Sequence, residues 1–229
     1  MPRPSNLHDS KPQSDAPDVE QEGVIKYQLE HRQEHLSSEP RLSELIVWRS
    51  LLFDLGLIGE SPDRYGGLGY GNVSIRTQPG KFLISASQTG RTRRLSEDQF
   101  VRVLNCSASE NRIRSIGLHR PSSEAMTHAA AYDAHPEIQC VLHVHHPGIW
   151  KNASSLGIPT TPETVSYGSV AMANHVMRIL ESKPNQVISM KGHTDGIIAT
   201  SNSPPEAAMM LIKLLALSEA ISAKDPLQK

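Results

Sequence analysis

The chain has 229 residues, of which 38% are hydrophobic and 21% are charged, so it can bury the core of one large domain. The formal net charge is −1 and aromatic residues make up 4%, which argues against nucleic acid as the main partner and favours small molecules. No apolar run approaches the ~18 residues of a membrane span, and the first residues lack the apolar segment of a signal peptide. The two cysteines, Cys106 and Cys140, show no metal-type pairing, which favours a reducing cytoplasm. We therefore expect a cytoplasmic protein, and the lack of an apolar span predicts that it contacts no membrane.

The first residues of the chain carry prolines among polar side chains, at Pro2, Pro4, Pro12 and Pro17. Because this segment has little apolar surface to bury, ordering it would cost entropy without compensation. We therefore expect a flexible tail over residues 1–22 and a single domain over residues 23–229. The stretch GVIKYQLEH at residues 23–31 alternates apolar and polar residues, which predicts a strand or a short docking arm.

The next segments show the periodicities of a helix and then of strands. An apolar stripe over residues 42–55, followed by Gly56, predicts the first helix. Short apolar runs at residues 73–75 and 82–85, separated by the turn signal QPGK, predict two strands. SEDQFVRVL and RIRSIGL, at residues 96–104 and 112–118, predict a further strand pair.

The second half of the chain alternates in the same way between helical and extended patterns. Ser122 is expected to cap a helix that runs through Ala134 and ends before Pro136. IQCVLHVHH predicts an apolar strand, GSVAMANHVMRIL a helix, QVISMKGH and DGIIAT two strands, and PPEAAMMLIKLLALSEAISA a closing helix that opens with proline. Helices interleaved with many short strands predict a layered α/β domain.

Two histidines stand two positions apart in the strand LHVHH. Side chains alternate between the faces of a strand, so His143 and His145 share one face, with Val144 turned to the other. Two imidazoles on one face are half of a metal site, and His193 in MKGHTDG is the best candidate for a third ligand. The alternative is a pair of histidines satisfied by hydrogen bonds to neighbouring strands.

Glu124 lies near the start of the predicted SSEAMTHAAAY helix, and His128 follows one turn later. In one interpretation Glu124 is a capping carboxylate with a surface ion pair. In the other, the short connection to the histidine strand brings Glu124 to the same metal, where it serves as a general base.

Small polar loops lie on both sides of one predicted strand, in GYGNVS and SASQTG. Their backbone amides and hydroxyls, together with the helix start at Ser122 and Ser123, are suited to binding an anion. The basic stretch GRTRRLSED comes next, and we expect most of Arg91, Arg93 and Arg94 to form a solvated charge cluster, with at most one guanidinium on an anionic substrate.

The motifs GNVS, QTG, PSSE, HVHH and the later GH occur in this order between Leu42 and Leu217, and in this order they resemble the class II aldolase/adducin family. The resemblance implies a three-layer α/β/α fold with a central, largely antiparallel sheet, a homotetramer and a divalent metal, Zn²⁺ or similar. By motif position it implies that His143, His145 and His193 bind the metal and that Glu124 binds the resting metal or acts as the acid/base. It further implies a phosphate-binding set made of Asn72, Thr89, Gly90, Ser122 and Ser123.

The function that this resemblance implies is that of a metal-dependent aldolase-type lyase acting on a small carbonyl or sugar-phosphate substrate through a metal-stabilised enediolate. Epimerisation and dehydration are alternatives on the same fold, and a non-catalytic adducin-like binding module is a third. Asp195, which separates His193 and Thr194 from Gly196, is either a partner of a ligand or a substitute ligand.

Overall fold

The computed structural model describes residues 23–224, so the expected tail over residues 1–22 lies outside the described part of the chain. The helices are α1 (Leu42–Asp54), α2 (Ala125–Ala134), α3 (Pro147–Lys151), α4 (Val170–Glu181) and α5 (Pro204–Lys224). The strands are β1 (Gln28–Gln33), β2 (Gly59–Glu60), β3 (Gly69–Tyr70), β4 (Asn72–Gln78), β5 (Lys81–Ser85), β6 (Phe100–Ser107), β7 (Arg112–Gly117), β8 (Cys140–His145), β9 (Gln186–Ser189) and β10 (Gly196–Ser201).

One sheet of 8 strands organises the described residues, in the order β1-β7-β6-β5-β4-β8-β10-β9. The edge strand β1 runs parallel to β7, and every other neighbouring pair is antiparallel. Strands β2 and β3 form a separate two-stranded ribbon. The predicted largely antiparallel sheet is therefore confirmed.

Helices cover both faces of this sheet. On one face, α2 and α4 pack in an apolar core that includes Val141 of β8. On the other face, α1 and α5 pack in a second core that includes Leu142 of the same strand. Two cores separated by one sheet give a three-layer α/β/α domain, as predicted.

The apolar patterns explain most of the elements. Leu42, Leu45, Ile46 and Leu52 of α1 are buried, as the helical stripe predicted. Ser169 caps α4 by accepting a hydrogen bond from the amide of Met172 at 3.1 Å. The strands predicted around the QPGK turn, the 96–118 strand pair and the final three strands are all present.

The predicted start of α2 is wrong. The helix begins at Ala125, with Glu124 in the N-cap position, so Ser122 is not the cap. The hydroxyl of Ser122 accepts a hydrogen bond from the amide of Glu124 at 3.3 Å, and its carbonyl accepts one from the amide of Ala125 at 3.0 Å. These local bonds form a turn before the helix, which is the usual competition between a serine side chain and helical structure.

One short α-helix and two short strands were not predicted. Helix α3 begins at Pro147, directly after β8, and His146 caps it by accepting a hydrogen bond from the amide of Ile149 at 3.2 Å. Proline at the first helical position was the available signal. Strands β2 and β3 are too short for a period to be read. No helix in the described part of the chain is long and apolar enough to cross a lipid bilayer.

Candidate active site

The central strand β8 carries two of the predicted ligands. It lies between β4 and β10, away from both edges of the sheet. Val144 packs in the core beneath α1 and α5, while His143 and His145 point to the face covered by α2 and α4. Both imidazoles are 0% exposed, and their Nε2 atoms are 3.0 Å apart. The two rings therefore converge on one point.

His193 joins this pair from the turn between β9 and β10. Because β10 pairs antiparallel with β8, Gly196 lies opposite His145 and the preceding turn lies at the end of β8. The His193 ring centroid is 4.9 Å from that of His143 and 4.6 Å from that of His145. One potential ligand atom from each residue lies within 4.8 Å of the others. We call His143, His145 and His193 the three-histidine cluster.

Burial keeps the two β8 histidines neutral. Loss of solvent, followed by repulsion from His193, lowers the pKa of His143 and of His145 well below the ordinary value. The Nδ1 atom of His143 lies 3.0 Å from the carbonyl oxygen of Ile197. Because a carbonyl only accepts, Nδ1 carries the proton and Nε2 is left with its lone pair for a metal.

The three-histidine cluster fits a divalent metal ion. Two imidazole nitrogens on a tetrahedral zinc ion lie roughly 3.3 Å apart, close to the 3.0 Å between the Nε2 atoms of His143 and His145. Three protein ligands with a fourth position for substrate is the usual donor set of a catalytic zinc site.

Glu124 approaches the cluster from the start of α2. Its Oε1 atom is 4.0 Å from Nδ1 of His193, and its side chain is 1% exposed. The interpretation of a capping carboxylate with a surface ion pair is wrong, because Glu124 makes no side-chain cap bond and His128 is 0% exposed. His128 instead lies 2.7 Å from the hydroxyl of Ser74, and burial lowers its pKa to about 3.

The residues predicted to bind phosphate line one pocket, which we call the polar pocket. Its lining includes Asn72, Thr89, Gly90, Ser122 and Ser123. Asn72 pairs with His143 across β4 and β8, so the polar pocket and the three-histidine cluster are adjacent. The Oδ1 atom of Asn72 is buried, and no hydrogen-bond partner for it lies among the described residues.

Backbone packing shapes the polar pocket at Gly90. A Cβ atom there would lie 2.3 Å from the carbonyl oxygen of Gly59 and 2.6 Å from Cα of Gly69. Real Cβ atoms do not approach other atoms so closely, so the packing of this loop against strands β2 and β3 requires glycine at position 90.

A family model described as Class II Aldolase and Adducin N-terminal domain matches residues 63–221. The chain belongs to this family. The matched region contains the whole three-histidine cluster, Glu124 and the five predicted phosphate-binding residues. A search of curated proteins finds no significant match.

Solved structures with the same fold come from several members of the class II aldolase family. L-fuculose-1-phosphate aldolase from Thermus thermophilus has a TM-score of 0.60 and 18% identity, over 81% of this chain and 95% of that one. YgbL from Klebsiella pneumoniae, a proposed aldolase, epimerase or decarboxylase, has a TM-score of 0.61 and 19% identity, over 81% and 90%. A sugar-phosphate aldolase from Thermotoga maritima has a TM-score of 0.60 and 16% identity, over 82% and 97%. At these identities the similarity shows the fold.

Asp195 lies close to the three-histidine cluster but is not one of its members. Its Oδ2 atom accepts a hydrogen bond from the hydroxyl of Tyr65 at 2.8 Å, and Arg64 lies 3.4 Å away. The ring of Tyr65 packs edge-on against His145, with centroids 4.7 Å apart. Asp195 thus reaches His145 through Tyr65, which favours a partner of a ligand over a substitute ligand.

Tyr65 and Asp195 both have left-handed backbone conformations, with φ values of 52° and 61°. Residues other than glycine adopt this region at an energetic cost, and such strain concentrates at functional sites. Nothing in the sequence indicated that these two positions would meet, because 130 residues separate them.

Arg49 is a site-forming residue that the sequence analysis missed. It is 1% exposed, and its guanidinium donates hydrogen bonds to the carbonyls of Thr89, Gly90, Thr92 and Arg93. Burial lowers its pKa to about 10, so it stays charged at neutral pH. The available signal was an arginine on the buried stripe of α1. By contrast, Arg91, Arg93 and Arg94 lie largely at the surface, as expected for a solvated cluster.

We predict that Arg49→Met lowers the free energy of unfolding by about 2–4 kcal/mol, because buried carbonyls of the 89–93 loop lose their donor. Chemical denaturation measures this change. The control is Arg93→Met, which removes an exposed arginine paired with Asp54 and should leave stability nearly unchanged. Equal effects of the two substitutions would show that the Arg49 hydrogen bonds do not hold the loop.

Proposed function

We propose that this member of the class II aldolase family is a metal-dependent aldolase-type lyase, which cleaves or forms a carbon–carbon bond next to the carbonyl of a small molecule. The observation that carries the proposal is a buried carboxylate, Glu124, 4.0 Å from a cluster of three buried histidines. Family membership and the similar fold of L-fuculose-1-phosphate aldolase support it.

His143, His145 and His193 would hold the metal through ring nitrogens. When bound there, a divalent ion supplies a Lewis acid that polarises the substrate carbonyl. A donor set of three imidazoles supports Zn²⁺ as the ion. The Ile197 carbonyl fixes the His143 ring, so the chain presents its ligand atom without rearrangement.

Glu124 would be the group that moves the proton. In the condensation direction it takes a proton from the carbon next to the carbonyl, and in cleavage it returns a proton to that carbon. Its side chain is 1% exposed, so in this closed arrangement the carboxylate has little contact with water.

The polar pocket would bind an anionic group of the substrate, such as a phosphate, next to the metal. Asn72 lines the pocket and has an Nδ2 group that can donate hydrogen bonds to an anion, and Ser122 and Ser123 offer hydroxyls near the start of α2. Arg49 places a buried positive charge behind the same loop. Sugar phosphates are therefore the first substrates to test.

An epimerase is the second candidate function. It would use the same metal and the same proton transfer by Glu124, and the fold similarity to YgbL supports it. A non-catalytic adducin-like module is disfavoured, because such a module has no need of a buried carboxylate beside three histidines.

The cellular compartment and the oligomeric state of the protein are also part of the proposal. Cys106 and Cys140 are free thiols, which supports a reducing, cytoplasmic compartment. We infer a homotetramer from the family resemblance.

For the metal, the decisive variant is His143→Ala. We expect about one zinc or similar ion per chain in the wild type, and an affinity at least about 100-fold weaker in the variant, because one of three ligands is gone. Elemental analysis and titration with a chelator measure this. The control His35→Ala removes an exposed histidine, 77% accessible, and should keep the ion. Full metal retention in His143→Ala would reject the three-histidine cluster as the site.

Inorganic phosphate should bind the polar pocket. Asn72→Ala is expected to weaken phosphate binding about 10-fold or more, because it removes a buried hydrogen-bonding group from an anion. Calorimetric titration measures the affinity, and Asn202→Ala at an exposed position is the control. If phosphate binds both proteins equally, an anion is not held at Asn72 and a carboxylate or neutral substrate becomes the better hypothesis.

Glu124→Gln preserves the shape of the side chain and removes the base. With a substrate identified among sugar phosphates, kcat should fall by ~10²- to 10⁴-fold while fold and bound metal are retained. Glu219→Gln, at a side chain that is 66% accessible, is the control and should turn over normally. Near wild-type turnover by Glu124→Gln would contradict the assigned role.

A further inference from the structure

Residues 23–27, which we call the N-terminal arm, precede β1 and lie outside the region matched by the family model. Their sequence, GVIKY, was compatible with either a strand or a docking arm. The strand begins only at Gln28, so the contacts of these residues are made outside the sheet.

The arm binds Tyr167 at several points. The amide of Val24 donates a hydrogen bond to the Tyr167 hydroxyl at 3.2 Å. The ammonium of Lys26 donates one to the Tyr167 carbonyl at 3.0 Å and one to the Ser166 hydroxyl at 3.2 Å. The same ammonium lies 3.9 Å from the centroid of the Tyr167 ring, in a cation–π contact.

Tyr167 connects the arm to the three-histidine cluster. Its ring stacks on His193, with centroids 4.6 Å apart and planes at 24°. Tyr167 is 1% exposed, so it is enclosed between the arm and the histidine. A displacement of Lys26 would therefore move the Tyr167 ring and change its packing against His193.

The arm also contacts the polar pocket. Gly23 lines this pocket together with Asn72 and Thr89. Tyr27 is 6% exposed and donates a hydrogen bond from its hydroxyl to the carbonyl of Ser122 at 2.8 Å. The arm thus runs from the proposed anion-binding residues to the aromatic ring against His193.

The candidate site is closed in this arrangement. Glu124, His143, His145 and His193 are at most 2% exposed, so a substrate must displace a covering segment to reach them. The arm is one such covering segment with exposed surface, because Val24 is 44% exposed and Lys26 is held by polar contacts near the surface. Its far end stays fixed, since the side chain of Asn111 donates to the Lys26 carbonyl at 2.9 Å and β1 pairs with β7.

We propose that the N-terminal arm is a movable cover of the candidate site, and that Lys26 is a positioning residue that holds Tyr167 against His193. The proposal rests on the proposed function in so far as the covered site is the one that takes metal and substrate.

The test measures how accessible His193 is to diethyl pyrocarbonate, a reagent that modifies neutral imidazoles, in the metal-free full-length protein. Trypsin releases residues 192–213, in which His193 is the single histidine, so mass spectrometry reports its modification alone. The variants are Lys26→Met, which removes the ammonium, and Val24→Pro, which removes the amide donor. The control is Lys81→Met, at an exposed lysine that begins β5.

We expect His193 to react at least about 10-fold faster in both arm variants than in the wild type or the control, with His128 still unmodified. His128 is 0% exposed and bonded to Ser74, so its protection shows that the fold is intact. Unchanged His193 reactivity in both variants overturns the proposal. So does a rise in His193 reactivity that is matched by His128, because general loosening would then explain it.

A second readout separates this proposal from the metal assignment. In metal-loaded protein, the same variants should release the ion to a chelator faster, while the stoichiometry stays that of the wild type. If the wild type binds no metal, the proposed function fails, and the His193 reactivity still decides whether the arm is a cover. If metal binds and its release rate is unchanged in both variants, the cover is rejected.

Discussion

The alternation of side chains along β8 is the constraint on which the rest of the structure depends. Leu142 and Val144 fill the core beneath α1 and α5, while His143 and His145 face α2 and α4. A shift of one residue in the pairing of this strand would exchange the two faces, placing imidazoles in an apolar core. The apolar residues therefore fix the register, and the register fixes where the histidines meet.

Burying the imidazoles of β8 side by side is tolerated because they are neutral. Desolvation lowers the pKa of His143 and His145 far enough that neither ring carries a positive charge into the interior. The same burial removes the water that would otherwise compete for the ring nitrogens. A cluster of this kind gains stability from any cation that binds the folded state and not the unfolded one, so ligand binding and folding are coupled here.

Local periodicity predicted the individual helices and strands. The features that the sequence did not predict depend on contacts between residues far apart in the chain. The period of two placed His143 and His145 on one face, and apolar stripes predicted α1 and the closing helix. The position of His193 in a polar turn after an apolar strand, together with the family motif order, pointed to the third histidine. The role of Arg49 could not be read in advance, because its carbonyl partners lie 40 or more residues away. The start of α2 was misplaced since a serine before a helix either caps it or forms a turn, and the surrounding backbone decides which.

The close packing of backbone at Gly90 has a consequence for which substitutions can reshape the polar pocket. A Cβ atom at position 90 would meet the carbonyl oxygen of Gly59 and Cα of Gly69, so main chain packs directly against main chain at this border of the polar pocket. Any side chain at position 90 would force these backbones apart. Substitutions that change the shape of the polar pocket without moving backbone are therefore confined to positions whose side chains line it, such as Gln88, Thr89 and Ser123.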